Sequence, residues 1–340
     1  MNRSLLTLQQ RDGRIRSRWV VIVISAAFFF LGESLQAQTE VSTDPVGFTS
    51  VVVESGTTSA LSLPLNNPPD YHGVVSTHSS NTIQSAYANW TVNAYGPFNT
   101  NPHVVRFVSG ANKGRQFKVV SNTGDTLTLN ASSGDLTTLI ATGDQYQILP
   151  GATLQSLFGA TAPALLVDAK PENADNVLLR GSFGWLTYYN DGTQWLRQGA
   201  GNASQNTVPI LPEQGLLLVR RSNSPLGFMV TGVAPTTNLK TDLSADRVTS
   251  LGNRFPVNLS LTQLRLNEIP GWIANADPAA ADTVLIRGSF GWLTYYYTGT
   301  GWVRQGGGST SEDPVIPLGV SVLIARGAGV NLTLDQAPPY

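Results

Sequence analysis

Short runs of apolar, β-branched and aromatic residues alternate with polar ones along most of the chain, cut at close intervals by clusters of Gly, Asn, Asp and Pro. That spacing predicts an all-β protein rather than a set of amphipathic helices. Phe48 to Val53 and Ala60 to Leu65 read as two strands about the turn Glu54-Ser55-Gly56-Thr57. Residues 66–102 are rich in Asn, Pro and Ser and read as long loops with a strand or two near Trp90. Four strand-like runs then follow closely: Val104 to Val108, Gln116 to Ser121, Thr126 to Asn130 and Gln145 to Leu149. They predict a small β-barrel or meander, with Leu127 and Leu129 facing a core and Thr126, Thr128 and Asn130 facing water.

The C-terminal half carries a repeat. Arg180-Gly-Ser-Phe-Gly-Trp-Leu-Thr-Tyr-Tyr189 recurs unchanged as Arg287 to Tyr296, an offset of 107 residues. The match continues through Gly192/Gly299, Trp195/Trp302, Arg197/Arg304, Gln198/Gln305 and Gly199/Gly306, and Leu154 and Leu157 answer Leu261 and Leu264 upstream. Downstream, Pro212 and the strand Leu216 to Arg220 answer Pro317 and Val320 to Arg326. The expected organisation is an N-terminal β domain over 38–150, one β repeat over 151–236, and a linker with a second β repeat over 237–340. The stretch Pro235 to Arg254 has little apolar periodicity and reads as interdomain linker or as loops of the second copy.

Asp191-Gly192 between Leu186-Thr-Tyr-Tyr-Asn and Thr193-Gln-Trp-Leu-Arg signals a two-residue hairpin turn. That register sets Tyr188 across from Trp195 and Leu186 across from Arg197, with Trp185, Thr187, Tyr189, Gln194 and Leu196 on the other face. In the second copy Tyr295 opposes Trp302, and Thr298-Gly299 makes the turn. Both faces carry aromatics, so two readings stand: Tyr188 and Trp195 fill a core, or the hairpins expose an aromatic platform. The platform would consist of Trp185, Tyr188, Trp195 and Arg197 in one copy and Trp292, Tyr295, Trp302 and Arg304 in the other. It would stack on sugar rings or pack on a protein partner.

The N-terminus changes the expected setting. Arg3, Arg11, Arg14, Arg16 and Arg18 precede an apolar run, Trp19 to Leu31, too short to span a bilayer and followed by Leu35-Gln36-Ala37. These features predict a signal peptide over 1–37, cleaved after Ala37; an uncleaved anchor is the alternative. Cleavage would remove 5 of 21 basic and 2 of 22 acidic residues, leaving 16 against 20 and a net charge near −4. Such a chain has no footprint for nucleic acid. No later segment reads as a transmembrane helix, and with no cysteine there is neither a disulfide framework nor a thiolate site.

Residues that would carry chemistry are sparse. His72, His78 and His103 read as loop histidines, their spacing unlike a metal motif, so no metal or cofactor is expected. Gly181-Ser182-Phe183-Gly184 lacks the spacing of a nucleophile elbow and reads as a turn. Asp175 and Asp282 read as turn caps that bond backbone amides. Nothing places two acids at a glycosidase separation.

Three segments together resemble an uncharacterised family of exported bacterial proteins: Thr43-Asp-Pro-Val-Gly-Phe48; Gly114-Arg-Gln-Phe-x-Val with Asn122-Thr-x-x-Thr-Leu-Thr-Leu129 and Gly143-Asp144; and Tyr295-Tyr-Tyr297, Trp302, Pro317-Leu-Gly319 and Arg326. The resemblance implies architecture and export, and no site. The expectation is therefore an exported (extracellular, cell-surface or periplasmic), non-catalytic β protein of structural or adhesive type. Its expected partners are itself, a surface protein or a polysaccharide. A carbohydrate-binding protein is the alternative, and an exported hydrolase the third reading.

Overall fold

A computed structural model describes residues 45–132 and 134–340. The expected signal peptide and the start of the Thr43-Asp-Pro-Val-Gly-Phe48 segment lie outside the described residues. Two leading strands, β1 (Val46–Val53) and β2 (Thr58–Leu61), turn about Gly56, whose φ of 66° suits the bend. The chain then enters a separate sheet made of β3 (Tyr71–Val74), β4 (Thr77–His78), β5 (Thr82–Gln84), β6 (His103–Phe107), β7 (Gln116–Asn122), β8 (Thr126–Leu129), the single turn α1 (Leu136–Leu139) and β9 (Gln145–Pro150). Its order is β3-β9-β6-β7-β8-β5-β4. Because the end strands β3 and β4 are consecutive in the chain, the sheet curls back on itself as a small barrel around Phe107, Phe117, Leu127, Tyr146 and Ile148.

The four strands anticipated here exist, and Leu127 and Leu129 are buried as the alternation requires. Residues 66–102 differ from expectation. Their strands lie at 71–84, upstream of Trp90, and His72, His78 and His103 sit in β3, β4 and β6 rather than in loops. His103 is buried and shares a hydrogen bond with Asp70 at 3.1 Å.

The rest of the chain forms two modules with one topology. The first uses β10 (Ala152–Thr153), α2 (Leu154–Phe158), β11 (Asn176–Arg180), β12 (Trp185–Asn190), β13 (Trp195–Arg197), β14 (Pro209–Ile210), β15 (Leu216–Val219) and β16 (Leu226–Val233). The second uses β17 (Leu239–Leu243), β18 (Val248–Gly252), β19 (Leu259–Ser260), β20 (Thr283–Gly288), β21 (Gly291–Tyr297), β22 (Trp302–Arg304), β23 (Val315–Ile316), β24 (Ser321–Ala325) and β25 (Leu332–Gln336). The five-stranded sheets run β13-β12-β11-β15-β2 and β22-β21-β20-β24-β18. A two-stranded ribbon, β1-β16 or β17-β25, and a short pair, β10-β14 or β19-β23, complete each module.

Two boundaries are thereby corrected. β1 and β2 belong to the first module, not to the barrel domain, and Pro235 to Arg254 is no linker, since it holds β17 and β18 of the second module. Equivalent residues differ by 190 in the leading strands (Leu61 and Leu251), by 106 after the hairpin (Leu216 and Val322) and by 107 from β10 through the hairpin (Ala152 and Leu259). The barrel, inserted between β2 and β10, accounts for that difference of 83 residues.

Each module has its own core, with Trp195 and Tyr188 at the centre of one and Trp302 and Tyr295 at the centre of the other. Each also buries one ion pair at an equivalent place. Asp175 meets Arg220, and Asp282 meets Arg326 at 3.2 Å with both side chains fully buried. The carboxylates also accept backbone amides, Leu166 and Arg221 on Asp175, Ile273 and Gly327 on Asp282. The turn-cap expectation thus held only half of the arrangement, because the arginine partners come from the distant ends of β15 and β24.

The modules meet through reciprocal contacts. Ser62 donates its amide to Gly319 O at 2.8 Å, and its equivalent, Gly252, donates to Glu213 O at 3.1 Å, Glu213 being the equivalent of Gly319. Arg180 Nε reaches Val248 O at 3.4 Å, and Arg287 Nε reaches Thr58 O at 3.1 Å. Contacts that map onto themselves in this way define an isologous, two-fold-like interface. Positions on that axis face their own equivalents, so room is made by glycine on one side. A Cβ at Gly252 would lie 2.7 Å from Ser62 Cβ, and one at Gly215 would collide with Ser321 Cβ.

Candidate interaction surface

The hairpin of each module is pinned by glycine, but its register differs from the expected one. Tyr188 pairs with Arg197 and Asn190 with Trp195; Tyr295 pairs with Arg304 and Tyr297 with Trp302. The turn centres on Gly192-Thr193 because Asp191 folds back, its Oδ1 accepting the amides of Thr193 and Gln194 at 2.8 and 2.9 Å. Burial alone would raise the Asp191 carboxyl. The hydrogen bonds from Thr193 and Gln194 outweigh it and hold the group below its ordinary value. A slip of two residues keeps every side chain on its face, so the division of faces stands while the cross-strand partners change.

That division decides what the named residues can touch. Tyr188, Trp195, Tyr295 and Trp302 are between 0 and 4 % exposed, so they are core and cannot act as a platform. Burial raises the phenols of Tyr188 and Tyr295. Trp195 donates Nε1–H to Gly159 O at 2.9 Å, whereas Trp302 Nε1 has no partner and its ring lies edge-on to Trp272 and Tyr297. Arg197 and Arg304 are partly exposed at the hairpin edge, Arg304 beside Glu312 at 3.5 Å. Trp185 and Trp292 are half-buried, and one face of each is taken by a guanidinium, Arg180 at 5.7 Å and Arg287 at 5.8 Å from the ring centres.

The exposed aromatics lie two residues before these tryptophans. Phe183 and Phe290, each flanked by Gly-Ser and Gly at the β11–β12 and β20–β21 turns, stand wholly in solvent at 103 and 106 %. Leu186 and Leu293 are also exposed, at 37 and 38 %. Both phenylalanines fall within the identical decapeptide. A large apolar residue enclosed by glycines at a turn is the signal that points to them, because no strand face is available there to bury it.

Beside the module interface run two equivalent grooves with different linings. One, about 310 Å³, carries several charged residues: Arg180, Glu213, Lys240, Thr241 and Asp242 line it with Leu211 and Val248, and the barrel closes it with Arg115 and Gln116. The other, about 550 Å³, holds Arg287, Gly319, Ser50, Val51 and Val52 at the corresponding places and has no barrel wall. The ribbons beside them differ likewise. In β17-β25 the outward residues include Asn238, Lys240, Asp242, Thr333 and Asp335, and the barrel turn lies on them. Lys240 N donates to Gly114 O at 2.9 Å, Lys240 Nζ to Ala111 O at 3.0 Å, and Arg115 pairs with Asp242 at 3.1 Å. In β1-β16 the equivalents are Phe48, Ser50, Val52, Gly227 and Met229, and Phe48, Val52 and Met229 remain 73, 59 and 64 % exposed. In the second module the wholly buried Arg254 donates to Leu239 O and Gln336, burial pulling its guanidinium down to about 10; the first module has Pro64 at that place.

No protein-family model, curated protein or solved structure matches the chain.

Proposed function

We propose that the chain is an exported, non-catalytic β protein of structural or adhesive type, whose two equivalent hairpin tips grip a protein of the surface or envelope it is exported to. The observation that carries this reading is the pair Phe183 and Phe290, one on each module, fully in water within identical sequence. Burying a phenylalanine side chain yields about 1.5–3 kcal/mol, a gain that folding leaves unused at both tips. Two tips on one rigid frame bind a repeated partner far more tightly than either alone. The leader-like N-terminus and the resemblance to exported proteins support the setting.

The test is retention of the full chain on washed envelopes of the cells that export it. Phe183→Ser or Phe290→Ser alone should weaken retention about tenfold, a loss of about 1.4 kcal/mol, and the double variant should abolish it without altering thermal unfolding. Undiminished retention of the double variant would overturn the reading.

Carbohydrate binding is the second reading, favoured by the mixed charged and amide lining of the 310 Å³ groove. A glycan array separates the two. A signal lost in Trp185→Ala, whose indole carries Arg180 on that groove, but kept in Trp292→Ala would select the sugar site.

A further inference from the structure

We infer that the outer face of the β1-β16 ribbon is covered in solution by the same face of a second copy of this chain. The observation is the unequal treatment of one position in a repeated fold. On the second module this face is polar and lies under the barrel turn carrying Gly114 and Arg115. The single barrel is inserted in the first module and lies on the second module's ribbon, so among the described residues the first module's ribbon has no such cover. Its large outward side chains are apolar all the same, Val46, Phe48, Val52 and Met229 being between 59 and 76 % exposed, with only the small, uncharged Ser50 and Thr231 among them.

The chemistry of the strip selects its occupant. Neither Val46–Val53 nor Leu226–Val233 contains a charged residue. A barrel turn such as the one on the second module would place Arg115 there with no counterpart of Asp242, leaving a desolvated charge unpaired. The strip instead matches an uncharged apolar strip. It also runs without a break into the contact that these modules already make with each other, since the open groove is lined both by Ser50 to Val52 of the ribbon and by Thr58 to Leu61 and Leu318 to Val320 of the module interface. A module that packs isologously inside the chain is thereby offered a second isologous face outside it. Eight paired residues at about 3.3 Å each give a strip about 26 Å long. Stacked on itself about a two-fold axis near Ser50, it sets Phe48 of one copy against Val52 of the other. A strip of this length and two strands wide buries only a few hundred Å² per copy, so the dimer is a weak, reversible one.

This surface is separate from the hairpin tips, and the experiment keeps the two apart. Sedimentation velocity of the full chain over a concentration series should show a monomer–dimer equilibrium, with Phe48→Asp raising its dissociation constant at least about tenfold at unchanged thermal stability. The described residues contain no cysteine and neither does the rest of the sequence, so Ser50→Cys should give a disulfide-linked dimer on oxidation. Lys240→Cys, at the covered equivalent, should stay monomeric. The Phe183→Ser/Phe290→Ser variant should dimerise as the parent does. A parent chain monomeric throughout, equal cross-linking at positions 50 and 240, an unaffected Phe48→Asp dimer, or a dimer lost with the hairpin tips would each overturn the proposal.

Discussion

The ribbons β1-β16 and β17-β25 occupy one place in one fold, yet share only their inner sides. Val53 and Leu243, and Leu226 and Leu332, enter equivalent cores. Outward, Phe48, Val52 and Met229 stand where the second module has Asn238, Asp242 and Asp335. The inner side answers to the module's own packing, where volume and apolarity are demanded whatever lies outside. The outer side answers to its neighbour, and the neighbour is the inserted barrel on one module only. Chemical character on a sheet's far face therefore reports what covers it.

The equivalence of the modules is most exposed to failure at the buried ion pairs. Arg326→Met leaves Asp282 charged and without its partner in a dry site, and Arg220→Met does the same to Asp175. Each should cost about 3–5 kcal/mol in urea unfolding, and a large loss in only one would break the parallel. Next comes the axis. Gly215→Ser drives a side chain into Ser321 and should cost about 1–3 kcal/mol. Adding Ser321→Gly exchanges the two residues across the axis and should restore most of the loss, an outcome that only the two-fold arrangement anticipates.

A smaller difference separates the two central tryptophans. Trp195→Phe forfeits the bond to Gly159 O, and Trp302→Phe forfeits none, so the first should be the costlier by about 1 kcal/mol. The smallest effect concerns pH. The Asp191 carboxyl is held below its ordinary value of 3.8, so its contribution is complete above that value and fades as pH falls through the depressed one. The second module has Thr298 at this turn, bonded to Thr300 and Gly301 and indifferent to pH. Protection of the Gln194 amide, its exchange rate taken against the intrinsic rate at each pH, should fall in acid, and Asp191→Thr should remove that dependence.

How much of this was legible follows from what the duplicated segments kept. The decapeptide at Arg180 and Arg287 declares the hairpins outright, and the Leu127/Leu129 alternation declares a half-wet strand. The leading strands do not declare themselves: between Val46–Leu61 and Thr236–Leu251 only Leu61 and Leu251 are identical. An exposed ribbon is free to change its outer residues, and pairing with a strand at the far end of the module leaves no local period to read. The barrel's position as an insertion was hidden for the same reason. The hairpin register was missed by two residues because the Asp191 side chain, rather than the glycine alone, sets where the chain reverses. As for the candidate surface, the strand pattern marks the tryptophans and tyrosines, and Tyr188, Trp195, Tyr295 and Trp302 among them are core. The solvent-facing Phe183 and Phe290 lie in Gly-Ser-Phe-Gly segments that read only as turns.

The split first module also sets an order of events in time. β1 finds its partner β16 only after more than 170 residues have passed, whereas β17 and β25 are separated by fewer than 90. Once the barrel has formed, its entry and exit are stitched together by Asn67 Nδ2 on Pro150 O at 3.0 Å. The long excursion then behaves as a short loop, and closing it costs little more than in the contiguous copy. The insertion thus prepares the chain ends for a pairing that would otherwise be the slowest step in making the molecule.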